Sequence, residues 1–157
     1  MNEKKDQKEL KQIEDKLAVY LQTDRRNWAE TYLLMKQVRD KELYAENYRS
    51  FTQWVNDLAD KNHYHQSTLW NRFKAGTVYE EYAKRQKAAG KTGVKSIKDV
   101  DISPDTVALV GTIANRSKNK KYTDELMNKA LNHEMSRQDL RRVNQQIRAE
   151  HSRGPKE

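Results

Sequence analysis

Apolar residues recur every three or four positions along most of the chain, and polar residues of the helix-capping kind separate the runs. Leu10, Ile13, Leu17, Tyr20 and Leu21 form the first stripe, which predicts a helix ending near Gln22–Asp24. The charged residues 1–9 ahead of it predict a frayed end. Asp24 or Asn27 can cap a second helix carrying Trp28, Tyr32, Met35 and Val38. Ser50 reads as the N-cap of a third helix with Phe51, Trp54, Val55 and Leu58 inward. A fourth helix runs from Gln66 or Ser67 through Phe73.

The pattern changes after residue 75. A further helix is predicted around Val78 and Tyr82, and it loosens into "AAGKTG", the strongest linker signal in the chain. "VKSIKDVDI" alternates apolar and polar residues imperfectly, so a short strand and an extended linker both fit. Ser103 as N-cap and Pro104 at the first helical position then open a helix with Val107, Leu109, Val110 and Ile113. The expected organisation is an N-terminal charged segment and helix (1–23), a first unit (24–89), a linker or strand (90–102), a second unit (103–150) and a disordered tail (151–157).

Two parts of the chain overlay. Phe51 to Phe73 matches Tyr122 to Asn144 without a gap, 71 residues apart. Phe51 pairs with Tyr122, Val55 with Leu126, Ala59 with Ala130, Tyr64 with Met135 and Leu69 with Leu140. Upstream, Thr31, Leu34, Met35 and Val38 match Thr106, Leu109, Val110 and Ile113. This predicts an internal repeat.

Each copy has helix-turn-helix spacing. A small residue lets the second helix cross close, a turn follows four residues later, an apolar plug fills the angle, and an apolar residue packs back. These are Ala59, His63, Tyr64 and Leu69, then Ala130, Glu134, Met135 and Leu140. The turn slot usually favours glycine because its φ is positive. Here it holds His63 and Glu134, which predicts a longer turn or local strain. The outward faces of the second helices present His65, Gln66, Ser67, Thr68, Asn71 and Lys74 in the first copy. In the second they present Ser136, Arg137, Gln138, Arg141, Arg142, Gln145 and Arg148. Arg can pair with guanine O6 and N7, and Asn or Gln with adenine N6 and N7. Ser, Thr and Lys supply phosphate contacts.

Composition narrows the classes. Of 157 residues, 35% are hydrophobic and 34% charged, which favours a thin core of small helical units. Five Gly and two Pro argue against a turn-rich β protein. The net charge of +8 favours a polyanionic partner. There is no cysteine, so disulfides and thiolate ligands are excluded. No apolar run approaches a membrane span, and "MNEKKDQKELK" lacks a signal-peptide core. A cytoplasmic protein without membrane attachment is expected. The string His63-Tyr64-His65 matches nucleases that nick DNA through a tyrosine, but those mount the histidines on a strand, whereas here they fall at a helix turn. Trp28 and Trp54, at helical spacing, read as core. No catalytic residue, metal site or cofactor is assigned.

At "SFTQWVNDLADKNHYHQSTLWNRFKAG", and with the motif doubled, the chain resembles the TraN-type DNA-binding proteins of Gram-positive conjugative plasmids. The likeness spans Trp28 to Arg148 and rests on pattern and architecture. It implies a tandem, winged-helix-like internal dimer with short central antiparallel strands, acting as a monomer. It also implies specific double-stranded sites in a transfer region, read by Gln66–Lys74 and Ser136–Arg148. The expectation is a mainly α protein with two helix-turn-helix units related by an internal pseudo-twofold, repressing conjugative transfer genes without chemistry. An accessory role beside the transfer origin, near a relaxase, stands as an alternative, as does an adaptor that binds other transfer proteins.

Overall fold

The computed structural model describes residues 2–23 and 28–153. Seven α-helices account for most of them: α1 (Asn2–Thr23), α2 (Trp28–Asp40), α3 (Phe51–Lys61), α4 (Gln66–Ala88), α5 (Pro104–Ser117), α6 (Lys120–Leu131) and α7 (Arg137–Arg153). The mainly α expectation holds. Among the described residues there is no strand, so the central antiparallel strands are not formed. "VKSIKDVDI" instead contains a single 3-10 turn, Ile97–Asp99, in which the Ser96 hydroxyl accepts from the Lys98 amide. Ile97 is the one fully buried residue of that stretch, and one anchor does not make the two-residue alternation of a strand. The N-terminal end is also less frayed than its charge suggests. Helix α1 begins at Asn2, and Glu9 is held by Lys41 at 3.1 Å. The proposed caps Asp24 and Asn27 lie outside the described residues, as does the tail beyond Arg153.

The chain divides into two units, Met1–Phe73 and Lys74–Glu157. The division falls inside α4, ahead of "AAGKTG". Helix α4 does not stop at "KAG" but runs on to Ala88, joining what the sequence suggested were two helices. Gly76 costs such a helix about 1 kcal/mol relative to alanine. Burial of Ala75, Tyr79 and Tyr82 on either side of it offsets that cost.

In the first unit α1 packs on α2, and α2 on α3. Leu10, Ile13, Leu17 and Leu21 of α1 are buried with Trp28, Tyr32, Met35 and Val38 of α2. Trp54, Val55, Leu58 and Ala59 of α3 are buried too. The indole N–H of Trp54 donates to Glu14 at 2.9 Å, and that of Trp70 to Asn56 at 2.9 Å. Each buried ring therefore keeps its polar atom satisfied. Phe51 sits among Tyr44, Trp54, Trp70 and Phe73 with centroids 5.3–6.1 Å apart. The segment before α3 is pinned by the Tyr48 hydroxyl, which donates to Asp57 at 2.5 Å, while Lys61 pairs with the same carboxylate at 2.9 Å.

In the second unit α5 packs against both α6 and α7. Thr106, Val107, Ala108, Val110, Gly111 and Ile113 are buried, which covers most of its circumference. A helix with so wide a buried face occupies the centre of its unit. The C-terminal part of α4 covers it as well. A Cβ added at Gly111 would lie 2.4 Å from Cγ2 of Val78. Tyr82 donates to Asn128 of α6, and Arg85 forks onto Asp124 at 2.6 and 3.1 Å. Burial and the neighbouring Tyr79 and Asp124 charges push the Tyr82 phenol up to about 12, so it remains a donor at neutral pH.

The turns after α3 and α6 have one backbone form. The Tyr64 amide returns to the Ala59 carbonyl at 2.9 Å and His63 to Asp60 at 3.3 Å. Likewise Glu134 returns to Lys129 at 2.7 Å and His133 to Ala130 at 3.1 Å. This is the Schellman closure, whose penultimate residue is left-handed. Those residues are His63, with φ 60, and His133, with φ 61. Glu134 is thus not in the glycine slot. At the turns the offset is 70 (63 to 133), and at the start of the following helices it is 71 (66 to 137). The second turn holds one extra residue, so the overlay is not gapless. Both turns accept strain, and histidine is among the non-glycine residues enriched in this region.

Two stability measurements follow. A left-handed L-residue costs roughly 1–2 kcal/mol, part of which glycine returns to unfolded-chain entropy. His63→Gly should therefore raise urea-unfolding stability by about 0.5–1 kcal/mol, and Glu134→Gly should not raise it. The reverse order would contradict the turn assignment. Gly111→Ala should cost about 1–3 kcal/mol by overpacking. Val78→Ala in the same chain should recover part of that loss, and no recovery would mean that the α4–α5 approach is not what limits the site.

Candidate nucleic-acid interface

Helix α7 is built one-sidedly. Leu140 is fully buried, and Val143, Asn144 and Ile147 are half-buried. They recur at helical spacing and form the stripe that packs toward α5. Asn144 breaks its apolar character, and its Oδ1 is buried without a hydrogen-bond partner. The start of α7 is fixed by a capping box. The Ser136 hydroxyl accepts from the Asp139 amide at 3.1 Å, and Asp139 accepts from the Ser136 amide at 2.9 Å. Donation from the Ser136 amide, and then from its hydroxyl, holds the Asp139 carboxyl below its ordinary value.

The opposite face carries the second set of sequence candidates. Ser136, Arg137, Gln138, Arg141, Arg142, Gln145 and Arg148 are all exposed. Ser136 has a structural task as the cap, which the sequence reading missed although S-x-x-D was visible. Arg142 lies 3.8 Å from Asp139, and Arg137 lies 3.5 Å from Asp105 at the start of α5. Neither Arg141 nor Arg148 has a hydrogen bond or ion pair among the described residues. His133, in the turn before α7, lies 3.0 Å from Asp101. That contact holds the exposed Asp101 carboxyl down.

The first set of candidates is placed differently. His65, Gln66, Ser67 and Thr68 are exposed in and just before the first turn of α4, and Gln66 donates to Asp60 at 3.4 Å. Asn71 is half-buried. Lys74 turns toward α5 and donates to the Thr112 hydroxyl at 2.5 Å. Burial lowers its pKa, so it does not join the exposed group. Arg72, which the 71-residue overlay aligns with Val143, is buried with its guanidinium 5.1 Å over the Tyr64 ring.

That stacking also bears on the His63-Tyr64-His65 string. The Tyr64 hydroxyl is committed to the Leu21 carbonyl, and the triplet lies in the turn rather than on a strand. Among the described residues no group of three His, Asp or Glu is arranged to hold a metal. None of the helices described is long and apolar enough to cross a membrane. No protein-family model, curated protein or solved structure matches the chain.

One basic group was missed at the sequence level. Lys118, Lys120 and Lys121 are exposed where α5 turns into α6, and Lys118 itself takes the left-handed cap position with φ 56. "SKNKK" was legible as a charge cluster, but nothing in its pattern marked it as a turn. Chemically, the α7 face offers guanidinium forks and amides to an anionic partner.

The capping box sets a pH dependence. The folded Asp139 pKa is depressed, so its contribution is present above the ordinary value of 3.8 and is lost as pH falls through the lower folded value. The stability difference between the parent and Asp139→Ala should therefore narrow on acidification below that range. A difference independent of pH would rule out the carboxylate as the cap.

Proposed function

We propose that the protein binds duplex DNA at specific sites through the exposed face of α7, and that it acts by occupancy rather than by chemistry. The observation that carries this reading is the pair Arg141 and Arg148. Two guanidinium groups without partners among the described residues stand on a helix whose other face packs toward α5, so the helix sets where they project and their forks are open. Arg137, Gln138, Arg142 and Gln145 extend the same row. A fixed row of Arg and Gln is suited to a major groove, where bidentate contacts distinguish bases. The net charge of +8 adds attraction that does not depend on sequence.

The exposed residues of the first turn of α4, Gln66 to Thr68, provide a second contact in a doubled helix-turn-helix unit. The like closure of the turns at His63 and His133 supports that doubling. With the resemblance to TraN-type proteins, the reading becomes repression of conjugative transfer genes from an inverted-repeat-like site. The same contacts serve an accessory protein beside a transfer origin. Footprinting on DNA flanking the protein's own gene separates the two, because a protected promoter means repression and protection beside a nick site means the accessory role.

The reading predicts a salt-dependent affinity, with a slope of roughly 0.9 in log–log form per phosphate neutralised. Arg141→Ala and Arg148→Ala should each cost about 1–3 kcal/mol if they meet bases, with preference relaxed at one position. A uniform loss on all sequences would make them phosphate contacts. Failure of the full chain to bind duplex DNA at low salt would overturn the proposal and favour a protein partner.

A further inference from the structure

Two acids and two bases meet in register at the entrance to α7. Asp101 and Asp105 are four residues apart, in the segment that leads into α5 and in its first turn. His133 and Arg137 are also four residues apart, in the turn after α6 and at the first position of α7. Asp101 lies 3.0 Å from His133 and Asp105 lies 3.5 Å from Arg137. All four side chains remain about half exposed or more, so neither pair contributes much to stability.

The position of Asp105 is odd for a surface meant to meet a polyanion. A carboxylate beside a phosphate repels it, and a bare cation would serve non-specific attraction better. Asp105 is itself well fixed, because it follows Pro104 and the Ser103 cap, whose hydroxyl accepts from the Thr106 amide at 3.2 Å. A guanidinium has five donors arranged in a planar fork. One edge can rest on Asp105 while another stays open toward a base.

We propose that Asp105 is a positioning residue. It aims Arg137 at a guanine edge and penalises phosphate at that point, so it exchanges non-specific affinity for base discrimination. This rests on the DNA-binding reading above. Arg137 is then the base-reading residue, and Asp105 touches no DNA.

The test uses the full chain and a pool of duplexes with a randomised central segment, from which bound sequences are selected. The parent should select a site in which one position prefers guanine by about tenfold or more. Asp105→Asn should erase that preference while binding the unselected pool a few-fold more tightly, with a steeper salt slope. Arg137→Ala should erase the same preference. Arg137→Lys should do so too while retaining the parent's salt slope, because lysine keeps the charge and loses the fork. Asp105→Glu should restore the preference in part. If Asp105→Asn fails to fold, Asp105→Ser carries the same test, with the same loss of preference and gain of non-specific affinity expected. Unchanged preference in Asp105→Asn or Arg137→Lys overturns the inference and leaves the DNA-binding reading standing. A uniform loss of affinity in Asp105→Asn, with the preference intact, also overturns it. If the parent binds no duplex at low salt, both fall.

Discussion

The second unit depends on how closely α4 and α5 approach at Gly111. Helix α5 is buried over most of its circumference, and α4, α6 and α7 share in covering it. Val78 rests where a Cβ would otherwise stand, which lets α4 lie near enough for Tyr82 and Arg85 to reach α6. Those polar ties, to Asn128 and Asp124, orient α6 relative to the same helix that covers α5. A larger residue at 111 would push α4 outward and lengthen both ties together. The Arg85–Asp124 pair is bidentate and partly shielded, so such lengthening costs more here than at an open surface.

The placement of α7 follows from that centre. Its buried stripe has α5 as its platform, its start is set by the Ser136–Asp139 box, and the turn before it is closed by two backbone hydrogen bonds. Three independent constraints therefore fix one helix. The unpartnered oxygen of Asn144 works against this tightness and costs on the order of 1–3 kcal/mol. An apolar residue there would pack better, and the aligned position in the first copy is Phe73.

Much of the helical framework was legible in the sequence because capping chemistry and apolar period act locally. Ser50, Ser103 and Pro104 mark helix starts with their own side chains, and the structure uses them as read. The misreadings arose where distant contacts decide. Gly76 reads as a break, yet burial of its flanks carries α4 through it. "VKSIKDVDI" alternates like a strand, yet no partner strand exists among the described residues to reward that conformation. Glu134 reads as the strained residue in a gapless overlay, while backbone closure puts the strain on His133. Of the candidate interface, the α7 row was readable because exposure of one face is implied by burial of the other. The fate of Lys74 was not, since only tertiary packing brings Thr112 to its ammonium.

That contrast separates α4 from α7. Beyond its first turns, α4 is buried on several sides: Arg72 and Phe73 are covered, then Ala75, Tyr79, Tyr82 and Ala83. A helix buried on those sides has less free surface to lay along a groove than α7 has. Helix α7 carries four exposed arginines between residues 137 and 148, and only Asp139 among its own exposed or half-exposed residues there opposes them. For the DNA-binding reading proposed above, the electrostatic and steric arguments select the same helix. The start of α4 can add contacts at its tip, but its length serves the core.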